Sequence, residues 1–511
     1  RRGVDLDLDG RVSSAAVADW LQLSQLDFAR GEAQVAGRLL VDDKGAQLDL
    51  SSELTELALD APAPFGKNPG QPLPLRMSLP LEREPRLRLD LGERLRVAMD
   101  LTGGDVSRTA AQLGGAAPDA DRCDRRYCLA GELSILALSQ WQDFARRYLG
   151  DAFGAGAPPG SGSSREPPSY RVDDLSVGEL ALGERSLGAA RLTLAGVGAD
   201  WTGSIDAPWI RATLTRPDGR ATLRIDDLDL SGYGGAGEGG PQASPAYLAG
   251  LLPPLAVRVD SLRRGDQVLG SLSFDLVPRP AEQALYASRL SGELWGARLA
   301  DPWPGMLRWA GGADTQTTAV ELDLAFDDIG AVLAAAGLTP SLESERGRAA
   351  VRLAWPGGPA DFDAAVAEGS LDLSARDGRI LEERPGPLAL IGFLNFAEIL
   401  RGLSLSHMFE SGIPFEKAHA ELNLRDGRVE VADLAIDGAA SAFIFQGMSD
   451  IRRGEVDGEL VVTLPVANNL PWVAALAGGP AVAAGVFVVS KVFEKQVNRM
   501  SSAVYAIGGS I

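Results

Sequence analysis

The sequence predicts a mostly β protein, made of antiparallel strands with one apolar and one charged face and joined by short helical elbows. Three observations support this fold class: apolar and charged residues alternate with period two, turn residues recur at short intervals, and long helical patterns are scarce. The 511 residues are enough to bury a large core. Glycine (60) and proline (31) are frequent and aromatic residues make up only 6%, so we expect many turns and few bulky core anchors.

The alternating segments put leucines on one face of each strand and charges on the other. Clear examples are residues 4–9, 86–91, 321–326 and 421–425. Strands with one wet face are typical of antiparallel sheets, whereas the strands of a parallel α/β core are apolar on both faces. The residues predicted to line the apolar inner face are Leu87, Leu89, Leu192, Leu194, Leu322, Leu324, Phe326, Leu371, Leu373, Leu422 and Leu424.

Asp-Gly pairs predict turns between strands at residues 217–219, 376–378 and 425–427. Short helices led by a large apolar residue are predicted at 18–21, 139–144 and 326–333. Ser139 and Asp327 are the predicted N-caps of the last two helices, because a short polar side chain can accept a hydrogen bond from the first turn.

Two low-complexity stretches, 154–168 and 232–245, are predicted to be flexible insertions between strands. After about residue 385 the pattern changes, and residues 387–403 have helical spacing with little charge. Residues 470–493 form an apolar segment whose only charged residue is Lys491. Its length suits a membrane-spanning helix, but a Gly-Gly-Pro at its centre favours a broken helix that touches a membrane or plugs the sheet. Ordinary core is the third reading.

The two cysteines, Cys123 and Cys128, lie close together in a polar stretch. They predict either a small disulfide-closed loop or half of a metal site. The two histidines, His407 and His419, are nearly 300 residues away, so a zinc site has little support. A disulfide in an oxidising compartment is favoured over free thiols.

Several classes of function have no supporting pattern. The net charge of −20 argues against a basic surface for nucleic acid or anionic membrane. Neither histidine lies in the setting of a nucleophilic triad, and no phosphate-binding loop is present. Adjacent carboxylates such as Asp173 and Asp174 point to opposite faces of a strand and cannot share one site there. We therefore expect no catalytic residues, no metal and no cofactor.

One-faced strands must cover their apolar side with something. The sheet could fold on itself as a sandwich or solenoid, or it could curl into a groove filled by an apolar ligand. The alternation alone favours the sandwich or solenoid, because these arrangements are commoner.

A series of stretches, in order and spacing, resembles the YhdP members of the AsmA-like family, the bridge-like lipid transfer proteins that include TamB. The stretches are APFGK (63–67), PLR (74–76), LLPPLAVRVD (251–260), VLGSL (268–272), FD (362–363), GSLDL (369–373), DGRILE (377–382), LIGFLNF (390–396), GIPFEK (412–417), DLAIDGAA (433–440) and LAGGP (476–480).

The resemblance implies an elongated repeating β-groove, a curled antiparallel sheet over residues 1–385, that binds phospholipid and transports it between membranes. It places the protein in the periplasm of a Gram-negative bacterium, in support of the outer-membrane barrier. The chain begins with Arg1 and has no initiator methionine, so we expect it to be part of a longer protein, and the resemblance implies an inner-membrane anchor upstream. The implied function has two alternatives: an assembly or structural factor for outer-membrane proteins, and a polysaccharide-acting β-solenoid enzyme.

The resemblance also implies an AsmA-like C-terminal region, residues 386–511, directed toward the outer membrane. It would contain the final strands and two apolar helical segments, 387–403 and 470–498. A membrane-contacting tip is expected there. The tip residues are Leu470, Trp472, Val486, Phe487, Val488 and Phe493.

Overall fold

A computed structural model describes residues 4–16, 27–42, 45–103, 105–118, 120–148, 167–182, 185–232, 244–299, 305–312, 315–336, 340, 342–381, 412–439, 441–465 and 500–510. The chain forms two compact units. The first comprises Arg1–Arg224 and Gly237–Ala243, and the second comprises Ile225–Ala236 and Ser244–Ile511. Both consist almost entirely of β-strands, so the mostly β fold class is confirmed.

Among the described residues, the first unit has fourteen strands and the helix α1 (Leu138–Tyr148). The strands are β1 (Val4–Ser13), β2 (Ala29–Arg30), β3 (Glu32–Asp42), β4 (Gly45–Ser52), β5 (Ala58–Leu59), β6 (Leu75–Pro80), β7 (Arg86–Leu91), β8 (Leu95–Thr102), β9 (Asp105–Leu113), β10 (Tyr127–Ala137), β11 (Ser169–Leu182), β12 (Arg185–Val197), β13 (Asp200–Ala207) and β14 (Ile210–Arg216). Apart from β2 and β5, which pair with each other, neighbours in the sheet follow chain order.

Strand β10 is parallel to both of its neighbours, β9 and β11, whereas the other described pairs of this unit are antiparallel. The prediction of antiparallel strands was therefore wrong for β10, because a strand with one charged face can also pair in parallel. Parallel neighbours cannot be joined by a tight turn, because the chain must return to the end of the sheet where it started. The chain therefore crosses the sheet twice in succession.

The first crossover, described at residues 114–118 and 120–126, packs on the polar face of the sheet. Cys123 is buried against Ala98 and Ala110, whose small side chains leave room for the loop. A disulfide joins Cys123 to Cys128, the second residue of β10, with 5.7 Å between their Cα atoms. The Arg108 guanidinium donates a hydrogen bond to the Cys123 carbonyl oxygen (3.3 Å), which fixes the loop further.

The second crossover begins with α1, which follows β10 directly. Its aromatic side chains stack edge to face: Trp141 lies 5.6 Å from Phe144 between ring centroids, and Phe144 lies 5.5 Å from Phe28. Trp141 also contacts Phe65 (5.9 Å), which packs on the apolar side of the sheet. The N-cap prediction for Ser139 was wrong, because β10 runs into the helix and Ser139 lies within its first turn.

Residues 53–74 form a loop that covers part of the apolar side between β4 and β6. Leu54, Leu57 and Leu73 are buried there. The Lys67 ammonium is also buried and donates hydrogen bonds to the carbonyl oxygens of Leu54 and Leu57. Burial lowers the pKa of Lys67, because an ammonium loses hydration when it is removed from water.

The second unit contains the helices α2 (Pro245–Leu251) and α3 (Ile329–Ala335). Its strands are β15 (Ala221–Asp229), which begins in the first unit, β16 (Leu255–Arg264), β17 (Gln267–Arg279), β18 (Ala284–Leu294), β19 (Ala297–Leu299), β20 (Gly305–Ala310), β21 (Thr317–Phe326), β22 (Leu342–Pro356), β23 (Glu368–Ile380), β24 (Ile413–Arg425), β25 (Arg428–Asp437), β26 (Ala442–Asp450), β27 (Glu455–Pro465) and β28 (Met500–Ser510). The described pairs from β16 onward are all antiparallel.

The Asp-Gly pairs have different fates in the two units. Residues 217–219 form a 3-10 turn after β14, and residues 425–427 form the β24–β25 hairpin, as predicted. The turn predicted at 376–378 was wrong, because β23 continues through it. Gly378 stays paired with Ser344 on one side and with Phe415 on the other.

The two helices described in the second unit, α2 and α3, are each capped by a side chain. Ser244 accepts a hydrogen bond from the N–H of Tyr247 and precedes a proline at the first helical position, a start signal for α2 that lies inside the predicted insertion 232–245. Asp328, not the predicted Asp327, caps α3 by accepting from the N–H of Gly330 (2.9 Å). Asp327 instead pairs with Arg298.

The predicted insertions 154–168 and 232–245 lie mostly outside the described residues. The predicted helical segments 387–403 and 470–498, and the helix at 18–21, lie entirely outside them.

Removing the disulfide should destabilise the first unit. In the chain-entropy model, a five-residue separation corresponds to about 2 kcal/mol of stabilisation. We expect a Cys123→Ala/Cys128→Ala variant to lose about that much free energy of unfolding in urea denaturation, and the reduced parent protein to behave like the variant. An unchanged unfolding midpoint in both would contradict this account.

The Asp229 carboxylate should make stability depend on acidic pH. It accepts hydrogen bonds from the N–H groups of Ser231 and Gly265, which lower its pKa from 3.8 to about 2. A depressed folded-state pKa stabilises the fold above pH about 4, and that contribution disappears as the pH falls toward about 2. We expect Asp229→Asn to flatten the dependence of the urea midpoint on pH in this window. Asn at the exposed Asp457 should leave the dependence as in the parent.

Candidate functional site

Directly opposed residues in neighbouring strands form one continuous apolar row across the first unit. Opposed residues lie on the same face of a sheet, so the pairing register shows which side chains share that face. The row runs through Leu8, Gly37, Leu50, Met77, Leu89, Val97, Ala111, Leu129, Val172, Leu194, Gly203 and Leu214. No member is charged or has a polar side chain.

The adjacent row, one residue away along each strand, belongs to the opposite face and has a different chemistry. It begins Asp7, Arg38, Asp49, Ser78 and Arg88, in five successive strands. The change from apolar to charged over one residue follows from the alternation of side chains in a strand. The sheet of the first unit therefore has one apolar and one charged face.

Ion pairs connect neighbouring strands on the charged face. Asp100 accepts hydrogen bonds from Arg86 (2.6 Å) and Arg108 (2.8 Å) on the two flanking strands. The Arg86 hydrogen bond is the main reason that the pKa of Asp100 is lowered, with Arg108 adding to it. In β1 and β3, Arg38 donates to both oxygens of Asp5.

The apolar row is only partly covered by protein. Leu8 is 49% exposed, and most other members are half-buried, although Val97 is buried. Toward one end of the strands the same face is closed: Leu113, Leu133 and Leu175 are buried together, and Phe65 packs against them. The apolar face thus has a closed end near α1 and a more accessible middle.

The second unit also has apolar rows of this kind, and two of them run side by side across its strands. One runs through Leu322, Val351, Leu371, Leu422, Val431, Gly447, Gly458 and Ile507. The next, two residues along, runs through Leu324, Ala349, Leu373, Ala420, Leu434, Phe445, Leu460 and Tyr505.

The structure puts the predicted inner-face residues of each unit on one face of that unit's sheet. In the first unit Leu89 and Leu194 belong to the same row, with Leu87 and Leu192 two positions away. Most of the predicted residues are half-buried, and the exceptions are Phe326 and Leu422, which are buried. Phe326 lies in a cluster with Ile329 of α3.

Apart from Leu422 and Leu424, the sequence did not identify the residues that bury the apolar face between β24 and β27. Phe443, Phe445 and Leu460 are at most 2% exposed and belong to an apolar cluster that extends from β23 to β27. A possible signal was the Phe443-Ile444-Phe445 alternation, which places two aromatic rings on one face. Half-buried leucines in β21 to β23 and the fully buried rings of β26 thus share one apolar face.

Phenylalanine rings of this face lie over glycines of neighbouring strands. Phe326 is directly opposite Gly347, and Phe415 is directly opposite Gly378. A Cβ atom at either glycine would overlap the ring. The missing side chain makes the space that the ring fills, as in the known pairing of aromatic residues with strand glycines.

The profile of a family described as YhdP protein matches residues 1–511, the whole chain. The chain belongs to the YhdP family. Among YhdP relatives, the protein named intermembrane phospholipid transporter YhdP of Escherichia coli (strain K12) is 24% identical over 206 residues. The match covers 40% of this chain and 16% of that protein. No solved structure matches the chain significantly.

In each unit of this YhdP-family chain the apolar face is suited to hydrocarbon, and the charged face of the first unit is suited to water. Burial is worth roughly 0.8 kcal/mol per methylene, and it needs no directional contacts. An uninterrupted apolar row therefore gives a bound hydrocarbon chain a similar free energy of burial at each strand that it crosses. No single specific pocket is needed for this.

The predicted membrane-contacting tip, Leu470 to Phe493, lies outside the described residues. Within the described part of the chain, no helix combines the length and hydropathy needed to cross a bilayer.

Adding a methyl group at Gly347 should displace Phe326 and loosen the apolar face. Overpacking of this kind costs about 1–3 kcal/mol, and we expect Gly347→Ala to lower the free energy of unfolding by that amount. Gly508→Ala is the matched control, because its Cβ would meet only ordinary contact distances. Equal stability of the two variants in urea denaturation would show that the ring does not depend on the glycine.

Proposed function

We propose that this chain binds phospholipid on its apolar face and carries it between membranes along that face, as a carrier and not an enzyme. The observation that carries the proposal is the uncharged row that continues from strand to strand within each unit. Membership of the YhdP family and the name of the E. coli relative support the choice of phospholipid.

The physical obstacle to lipid transfer is exposure of the acyl chains to water. Two chains with about 30 carbons resist entering water by on the order of 20 kcal/mol. A row of apolar side chains at steps of about 4.8 Å replaces water along the path. In the first unit, eleven such steps from Leu8 to Leu214 give a row roughly 50 Å long.

In this proposal the apolar face contacts the lipid and the opposite face contacts the solvent. The half-buried leucines keep apolar surface available, and the opposite face has ion pairs such as those of Asp100 with Arg86 and Arg108. A lipid whose acyl chains lie along the row leaves its headgroup at the edge of the apolar face, in water. Transport along such a row needs neither a catalytic group nor a headgroup-specific pocket.

The proposal extends to the setting of the protein. Residues 1–385 would form the groove and residues 386–511 the outer-membrane end, with the tip residues Leu470, Trp472, Val486, Phe487, Val488 and Phe493 in contact with the membrane. The longer protein would be attached to the inner membrane and act in the periplasm. Family membership is the support for this arrangement.

Photo-crosslinking on the two faces of β23 tests the proposal. Leu371 lies in the apolar row and Asp372, its neighbour, lies on the opposite face. With p-benzoylphenylalanine at Leu371, irradiation of cells should give a phospholipid adduct detectable by mass spectrometry. The same probe at Asp372 is the control and should give little or none.

Two results would count against a lipid carrier. Equal lipid labelling at Leu371 and Asp372 would show that the apolar face is not the path. Adducts to protein partners alone at Leu371 would favour the assembly or structural role instead.

A further inference from the structure

A cavity of about 560 Å³ opens on the first unit, next to the loop that the disulfide closes. Its walls come from the beginning of β9, from the loop residues before β10 and from the beginning of β11. The side chains of Arg108, Arg125, Arg126 and Ser169 line it, together with the carboxylates of Asp105 and Asp124. Arg108 shares a strand face with Ala110, so this part of the wall belongs to the charged face.

The arginines of the wall have donor groups without acceptors. The Nε atoms of Arg125 and Arg126 are shielded from solvent and make no hydrogen bond to any residue that the structure describes. The closest ion-pair contact of Arg125 joins its Nε to an Asp124 oxygen at 3.9 Å, beyond hydrogen-bonding distance. Arg126 uses Nη2 to donate to the Val106 carbonyl oxygen (3.3 Å), and its guanidinium lies over the Tyr127 ring, 5.6 Å from the centroid.

A shielded guanidinium donor without an acceptor is costly, so such donors indicate a missing acceptor. The Asp124 carboxylate is already held by Arg171, with 2.5 Å between Nη2 and Oδ1. Of the three guanidinium groups that line the cavity, that of Arg108 is already paired with Asp100, so the positive charge available to a ligand is that of Arg125 and Arg126, in a chain whose net charge is −20. The lining therefore favours an anion, against the charge of the whole protein.

We propose that this cavity binds a phosphate-type oxyanion, with Arg125 and Arg126 as the donors and the Ser169 hydroxyl as an additional contact. Arginine suits this role because its planar fork can donate two parallel hydrogen bonds to one oxyanion. The shared chemistry has two sources, free inorganic phosphate and the phosphodiester of a phospholipid headgroup.

The disulfide is part of the same site. Cys123 lines the cavity, and its carbonyl oxygen accepts a hydrogen bond from Arg108, which fixes one wall to the loop. The backbone N–H of Arg126 donates to the Ser169 Oγ (3.0 Å) and joins the loop to β11. Reducing the disulfide would release residues 124–127 from one of these constraints. The affinity of the site for an oxyanion should therefore depend on whether the disulfide is formed.

Isothermal titration calorimetry on the 511-residue chain tests the proposal with two probes: sodium phosphate, and dihexanoyl phosphatidylglycerol below its micelle concentration. Binding of either probe is expected. An Arg125→Gln/Arg126→Gln variant should weaken it about 10-fold or more, since hydrogen bonds to charged groups are the strong ones. Arg211→Gln, an exposed arginine of the same unit away from the cavity, is the matched control and should bind as the parent does.

Removing the disulfide gives a second readout that leaves the charges of the site unchanged. The Cys123→Ala/Cys128→Ala variant should also bind the probes more weakly, and circular dichroism should confirm that it is folded. Phosphate binding alone would assign the site to the free ion, and binding of the lipid probe alone would assign it to a headgroup. The proposal is overturned if neither probe binds, or if the double arginine variant binds as tightly as Arg211→Gln.

Discussion

The register of strand pairing is the constraint on which both faces of this protein depend. Side chains alternate across a strand, so a slip of one residue would move every leucine of a strand from the apolar row to the charged face. Leu89 continues the row of Met77 and Val97 only because β7 pairs with β6 and β8 as it does. A continuous apolar path is thus a property of all the pairings together.

Several local contacts hold that register. The Arg86–Asp100–Arg108 bridge joins three strands on the charged face, at one pairing position. On the apolar face, rings over glycines act in the same way, because Phe326 fits only where Gly347 is opposite it. Contacts on both faces therefore favour the observed register over registers that are shifted by one residue. In this way each face helps to fix the arrangement of the other.

The sequence revealed the fold class and the faces, because period-two alternation reports directly on which side chains point together. It also placed α3 and the 425–427 hairpin, where the local chemistry is strong. It did not reveal the direction of β10, because one-faced alternation predicts antiparallel strands and β10 pairs in parallel with both of its neighbours. At 376–378 the sequence predicted a turn from an Asp-Gly pair, but Gly378 serves the Phe415 ring of a neighbouring strand, a contact invisible to local reasoning.

The sequence predicted only part of the candidate site, for a related reason. The leucines were found because each lies in an alternating segment, but a row also includes Gly37, Ala111 and Gly203, which look unremarkable alone. The oxyanion cavity gave no sequence signal beyond the cysteine spacing. Its arginines come from β9 and from the loop before β10, and only the parallel pairing of these strands brings them together.

The parallel trio of β9, β10 and β11 also affects how a sheet of this kind can change in length. In an antiparallel stretch, two strands are needed before the chain is back at the end of the sheet from which it left. In the trio every strand starts at the same end, so one strand with its crossover already returns the chain to that end. The length of the sheet could therefore change by a single strand at the trio, whereas the hairpin stretches must change by two strands to keep the direction of the strands that follow.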